Sequence, residues 1–215
     1  MPTLYLITGS NGAGKSSVGF SYLPQEIQDN YEVFDGDLLF LKKRKELYPQ
    51  KIASLNEAKE AAEEWLINHF EERAEAALKT GDHFVYEGHF VGENNWHYPK
   101  KFKEAGYTVH LIFFGLSDTH VSSLRVFDRA KNGGHNVSPF DIERNFYGNL
   151  EMVNENFDLF DDVQIVDTTE AVHKVLAHFE NGEVTSAVSS KKLPEWFAMG
   201  LSKFYRKIVE AENES

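Results

Sequence analysis

The residues best suited to chemistry stand near the start of the chain, where Gly9-Ser10-Asn11-Gly12-Ala13-Gly14-Lys15-Ser16 fits the spacing G-x-x-x-x-G-K-[ST]. Glycines in such a loop let backbone N–H groups converge on an anion without interference from Cβ atoms. A helix starting beside Lys15 would add the partial positive charge of its N-terminus, and the ammonium a full charge. The run Gly9–Ser17 is therefore expected to bind the phosphates of a nucleotide, with Lys15 reaching the β- and γ-phosphates and Ser16 ligating Mg²⁺.

Acids follow at positions where a parallel sheet would deliver them to the same place, because ligands of open α/β sheets sit beyond the carboxyl ends of the strands. Phe34-Asp35-Gly36-Asp37 closes one β-prone run and Phe84-Val85-Tyr86-Glu87-Gly88 another. Phosphoryl transfer needs a positioned nucleophile and neutralised charge, so one of these acids can take the proton of an attacking hydroxyl. Asp37 is the expected base, with Asp35 beside it. Glu87 suits either Mg²⁺ through water or a substrate hydroxyl. Cations for the transferring group are expected from Arg125, Arg129 and Arg144. Arg125 and Arg129 share a helix face at i, i+4, where like charges repel unless an anion lies between them.

Elements that position these residues can be read from apolar patterning. Strand-like runs at 4–8, 31–35, 83–87, 107–114 and 163–167 alternate with helical stretches, which predicts a mainly parallel sheet with helices on both faces. Ser54-x-x-Glu57 and Gly81 bound a predicted helix over 55–80. Further helices are expected from about Tyr98 to Ala105, from near Ser117, and from Ser138-Pro139. Toward the C-terminus, Asn181-Gly182 between Val172–Phe179 and Val184–Val188 predicts a hairpin, and Leu193–Glu210 one amphipathic helix. The expected architecture is a single three-layer α/β/α domain over 1–215, with 172–211 as an appendage.

Composition narrows the partners. A net charge of −12 over 215 residues argues against nucleic acid or an anionic membrane as the main partner. No apolar run approaches the ~18 residues of a membrane span. Zero cysteines exclude disulfides and thiolate metal sites and suit a reducing compartment. With the phosphate loop beginning at Gly9, little room precedes it for a secretory leader, so a cytoplasmic location is expected. A GTPase switch would need N-K-x-D and D-x-x-G, and an ABC-type ATPase L-S-G-G-Q; none of these occurs in the sequence.

Taken together, Gly9–Ser16, Asp35-Gly36-Asp37, Glu87 and Arg129-Ala130-Lys131-Asn132-Gly133-Gly134-His135-Asn136-Val137 resemble the zeta-toxin-like kinases, a branch of phosphate-loop kinases, over most of residues 3–155. The resemblance implies Asp37 as catalytic base, Glu87 as a substrate-site acid, and Arg129 with Arg125 or Arg144 as cations on the ATP phosphates. It implies ATP and Mg²⁺ as cofactors and an amino-sugar nucleotide as acceptor. An inhibitor protein belongs to some such systems, although no residue here indicates one. Three departures stand out: Gly88-His89 replaces two threonines, Pro139 lies one place late, and Asn145 stands where a second arginine usually follows Arg144. The resulting expectation is a kinase that phosphorylates a hydroxyl of a small molecule. The alternative is a nucleotide-binding regulator, or another phosphate-loop NTPase.

Overall fold

Leu4, Leu6 and Ile7 are at most 1% exposed and Tyr5 is also buried, so both faces of the first strand are covered. Such covering requires helices on both sides of a parallel sheet, which is the arrangement found. The computed structural model describes residues 1–131 and 137–214. The first half of the chain runs β1 (Thr3–Gly9), α1 (Lys15–Val18), α2 (Gln25–Asn30), β2 (Val33–Asp35), α3 (Gly36–Leu47), α4 (Leu55–Thr80), β3 (Phe84–Glu87) and α5 (His97–Glu104). It continues with β4 (Thr108–Gly115), α6 (Thr119–Lys131), α7 (Pro139–Glu155), β5 (Asp162–Asp167), β6 (Lys174–Glu180), β7 (Glu183–Ala187), α8 (Glu195–Gly200) and α9 (Ser202–Glu214).

The strands form one seven-stranded sheet in the order β2-β3-β1-β4-β5-β6-β7. From β2 to β5 every neighbour is parallel, while β6 and β7 are antiparallel. Parallel pairing brings the carboxyl ends of β1, β2 and β3 together: Ile7 registers with Glu87, and Glu87 with Asp35. Main-chain turns follow the local chemistry. Ser54 caps α4 and Gly81 ends it at φ +73°, while Ser138 caps α7 with Pro139 in its first turn. Asn181 and Gly182 both take positive φ, 51° and 79°, as a two-residue hairpin of the right twist requires.

The C-terminal segment departs from expectation in one respect. Instead of one helix over 193–210, α8 and α9 are separated at Leu201. Gly200 lies against Leu150, where a Cβ would stand 2.9 Å from Cδ1. Trp196 packs so closely on Gly115 that a Cβ there would stand 2.1 Å from the indole. The interruption between the two helices lets Trp196 and Phe197 on α8 and Phe204 and Ile208 on α9 all be buried. The hairpin extends the main sheet, because β6 pairs along β5 from Asp162↔Glu180 to Asp167↔Lys174. Residues Asn132–Asn136 of the expected glycine-rich loop lie outside the described residues.

Candidate active site

β1 ends where its backbone must turn sharply. Gly9 adopts φ +139°, and a Cβ on it would lie 2.1 Å from the Phe114 carbonyl oxygen. Gly14 at φ +88° then leads into α1. Inside this loop the Lys15 ammonium donates to the carbonyls of Gly9 at 3.0 Å and Ser10 at 3.1 Å. Burial lowers its pKa, opposed by the attraction of Glu87, Asp37 and Asp35. A buried cation held on two carbonyls at the start of a helix is placed to receive an anion.

Across from the loop stands Glu87 at the end of β3, 6% exposed, accepting a hydrogen bond from the Ser16 hydroxyl. Burial pushes its pKa up to about 7, against the opposing effect of the Ser16 hydrogen bond; Asp35 raises it further and Lys15 lowers it. Asp35 accepts from Leu38 N at 2.9 Å and so caps α3. Asp37 sits in the first turn of that helix. It lines a cavity of about 280 Å³ together with Lys15, Ser16, Glu87, Arg125 and Arg129. Ser16, Glu87 and the two aspartates offer the hard oxygens that Mg²⁺ prefers, so the donor set fits that ion.

The predicted cations part company. Arg129 reaches the cavity. Arg125 also lines it, yet its guanidinium donates to the carbonyls of Gly12 at 3.2 Å and Thr169 at 2.8 Å. Backbone oxygens thus meet part of the like-charge cost that its spacing from Arg129 creates, and the residue braces the phosphate loop. Arg144 pairs with Asp141 at 3.0 Å and is not among the cavity's lining residues, although its charge acts on the His89 ring.

A polar network behind the loop escaped sequence reasoning. Asn149 accepts from Phe90 N at 2.8 Å, lies 2.9 Å from the Thr8 hydroxyl, and donates toward Gly9 O at 3.3 Å. Asn145 donates to the Asn11 side chain at 2.9 Å. His89 lies between them, its Nε2 3.2 Å from Asn11 Nδ2 and its Nδ1 3.1 Å from Asn149 Nδ2. Burial, reinforced by Lys15, holds its pKa well below the ordinary histidine value, so the ring facing the cavity is neutral at pH 7. Asn145 and Asn149 were visible as polar residues at i, i+4 on the apolar face of a helix also carrying Ile142, Phe146 and Leu150. Two of the three sequence departures, His89 and Asn145, are members of this network.

The family model "Zeta toxin" matches residues 1–176, and the chain belongs to that family. None of the curated proteins matches it in sequence. Among solved structures, it is similar to AvrRxo1-ORF1:AvrRxo1-ORF2 with sulphate ions (TM-score 0.66, 18% identity), covering 94% of this chain and 64% of that one. The chain therefore spans under two thirds of that relative. AvrRxo1-ORF1:-ORF2 with ATP is similar at TM-score 0.62 and 16% identity, covering 100% of this chain and 81% of that one. The PezAT chromosomal toxin–antitoxin system of Streptococcus pneumoniae gives TM-score 0.58 and 16% identity, over 100% of this chain and 85% of that one. These likenesses show the fold alone, a mainly parallel α/β sheet with a C-terminal antiparallel hairpin.

Proposed function

We propose that this member of the Zeta toxin family is an ATP-dependent kinase that phosphorylates a hydroxyl of a small molecule. One observation carries the reading: Asp37, Glu87, Lys15, Ser16 and Arg129 line one cavity at the mouth of the phosphate loop. A base, a metal-binding hydroxyl and two cations within one cavity of this size are what phosphoryl transfer asks of a protein.

In this scheme the loop amides and Lys15 hold the β- and γ-phosphates, and Ser16 with Glu87 or Asp35 holds Mg²⁺, which when bound neutralises charge on the phosphates. Asp37 accepts the proton of the acceptor hydroxyl. The acceptor oxygen forms its bond to the γ-phosphorus as the bond from that phosphorus to the β,γ-bridging oxygen breaks, and ADP leaves with that oxygen. Arg129 faces the charge that develops on the transferring oxygens. Arg125 holds the loop in shape, while Asn149 and Asn11 keep the neutral His89 ring in place beside Lys15.

The amino-sugar nucleotide implied by the resemblance is the first acceptor to try. These 215 residues would act as one domain, in the cytoplasm. Because PezAT is a toxin–antitoxin system, an inhibitor protein is a further partner to seek, by co-purification with the tagged chain. Acceptor-dependent ADP release tests the kinase reading. It should rise well above basal hydrolysis when the right metabolite is added; ATP binding without acceptor-dependent turnover in any metabolite extract would favour a regulator instead.

A further inference from the structure

At the amino ends of β4 and β5, opposite the end that carries the phosphate loop, one face of the sheet gathers imidazoles and carboxylates from three strands. His110 registers with Asp162, and Asp162 with Glu180. His178, two residues before Glu180 on β6, shares that face. One ligand atom from each of Asp162, His178 and Glu180 lies within 4.8 Å of the other two. His178 Nε2 is 3.1 Å from Asp162 Oδ2, and His110 Nε2 is 3.0 Å from Oδ1 of the same carboxylate. The side chains of Asp162 and His178 are 24% and 31% exposed and Glu180 is exposed, so an ion can reach them from solvent.

Hydrogen bonds alone leave costs at this place. Asp162 and Glu180 are like charges directly opposite on antiparallel strands, which destabilises a sheet. The next acid, Glu183, pairs with Lys207 at 2.8 Å, whereas no cation pairs with Glu180 among the described residues. The Thr185 hydroxyl donates to the His178 carbonyl at 3.1 Å, and its oxygen stands 3.0 Å from Nδ1, placed to accept the ring N–H. In a neutral ring Nε2 then turns its lone pair on the carboxylate, and two acceptors so close need a cation between them. A histidine whose other nitrogen donates to an oxygen is the usual form of a metal ligand. Bonds of about 2.0 Å in a tetrahedron set ligands about 3.3 Å apart, close to the spacing of Nε2 and Oδ2.

We propose that Asp162, His178 and Glu180 bind one divalent transition ion of the zinc class, with water completing the coordination and His110 orienting Asp162. The imidazole nitrogen separates this site from Mg²⁺, which takes oxygen. The ion clips β6 to β5 and so anchors the antiparallel hairpin to the parallel sheet. It stands apart from the nucleotide chemistry and does not depend on the kinase reading.

The test uses the full chain, stripped with a chelator and then kept in excess Mg²⁺ to occupy oxygen-only sites. Zinc chloride is titrated by calorimetry while the imidazole ¹⁵N resonances are followed by NMR. One equivalent should bind, shift His178 Nε2 and raise Tm, and Mg²⁺ alone should do none of these. Glu180→Gln, at an exposed position, and His178→Ala should each weaken zinc at least about 10-fold with circular dichroism unchanged. If His178→Ala fails to fold, Glu180→Gln carries the comparison. Absence of zinc binding, binding that leaves the His178 resonance in place, or equal affinity in Glu180→Gln would each overturn the site.

Discussion

Replacing Glu87 by Gln should make the protein more stable at alkaline pH and far less so in mild acid. The carboxyl is 6% exposed, and its pKa stands near 7 in place of 4.5, chiefly because burial penalises the charged form. Below pH 4.5 it is protonated folded or unfolded and contributes nothing; between about 4.5 and 7 the unfolded chain releases the proton first, so stability falls as pH rises. From those two values the penalty is about 1 kcal/mol at pH 5 and about 3 kcal/mol at pH 8. Glutamine keeps an oxygen for the Ser16 hydroxyl and has no charge to bury. Urea unfolding of both proteins at pH 5 and pH 8, without nucleotide or metal, should therefore show the variant gaining about 2 kcal/mol more at the higher pH. Equal differences at the two pH values would mean that Glu87 ionises near its ordinary pKa in the folded protein and that its burial carries no such penalty.

Other outcomes follow from the same geometry. Lys15→Ala should remove most triphosphate affinity, read by calorimetry, with the fold retained in circular dichroism; unchanged affinity would place the nucleotide elsewhere. Arg129→Ala should lower kcat more than it raises the nucleotide Kd, since a cation aimed at developing charge acts mainly in the transition state; equal effects would assign it to ground-state binding. Gly9→Ala should cost at least about 2 kcal/mol and lower Tm, because its Cβ would meet the Phe114 carbonyl at 2.1 Å and φ +139° excludes it; a normal Tm would mean that the loop can shift.

What could be read from the sequence was local. The phosphate loop, the caps at Ser54 and Ser138 and the Asn181-Gly182 turn each depend on residues within a few positions, and each is found in place. Asp37 and Glu87 could be placed in one site because parallel strands deliver their ends together. The network around His89 was hidden because its partners are remote: Asn11 and Asn145 are 134 positions apart, and His89 and Asn149 are 60 apart. That Arg125 also holds the carbonyls of Gly12 and Thr169 was not legible, because those carbonyls are 113 and 44 positions away in sequence. Two helices replaced one at the C-terminus for a related reason, since the contacts of Gly200 with Leu150 and of Trp196 with Gly115 are tertiary.

Asp37→Asn removes the one group that takes the acceptor proton in this site. The amide preserves shape but takes no proton at neutral pH. With an acceptor identified by its gain of one phosphate in mass, the variant should bind MgATP as the wild type does and transfer phosphate about 10²–10⁴-fold more slowly. Transfer at the wild-type rate would contradict the account and pass the role of base to Asp35.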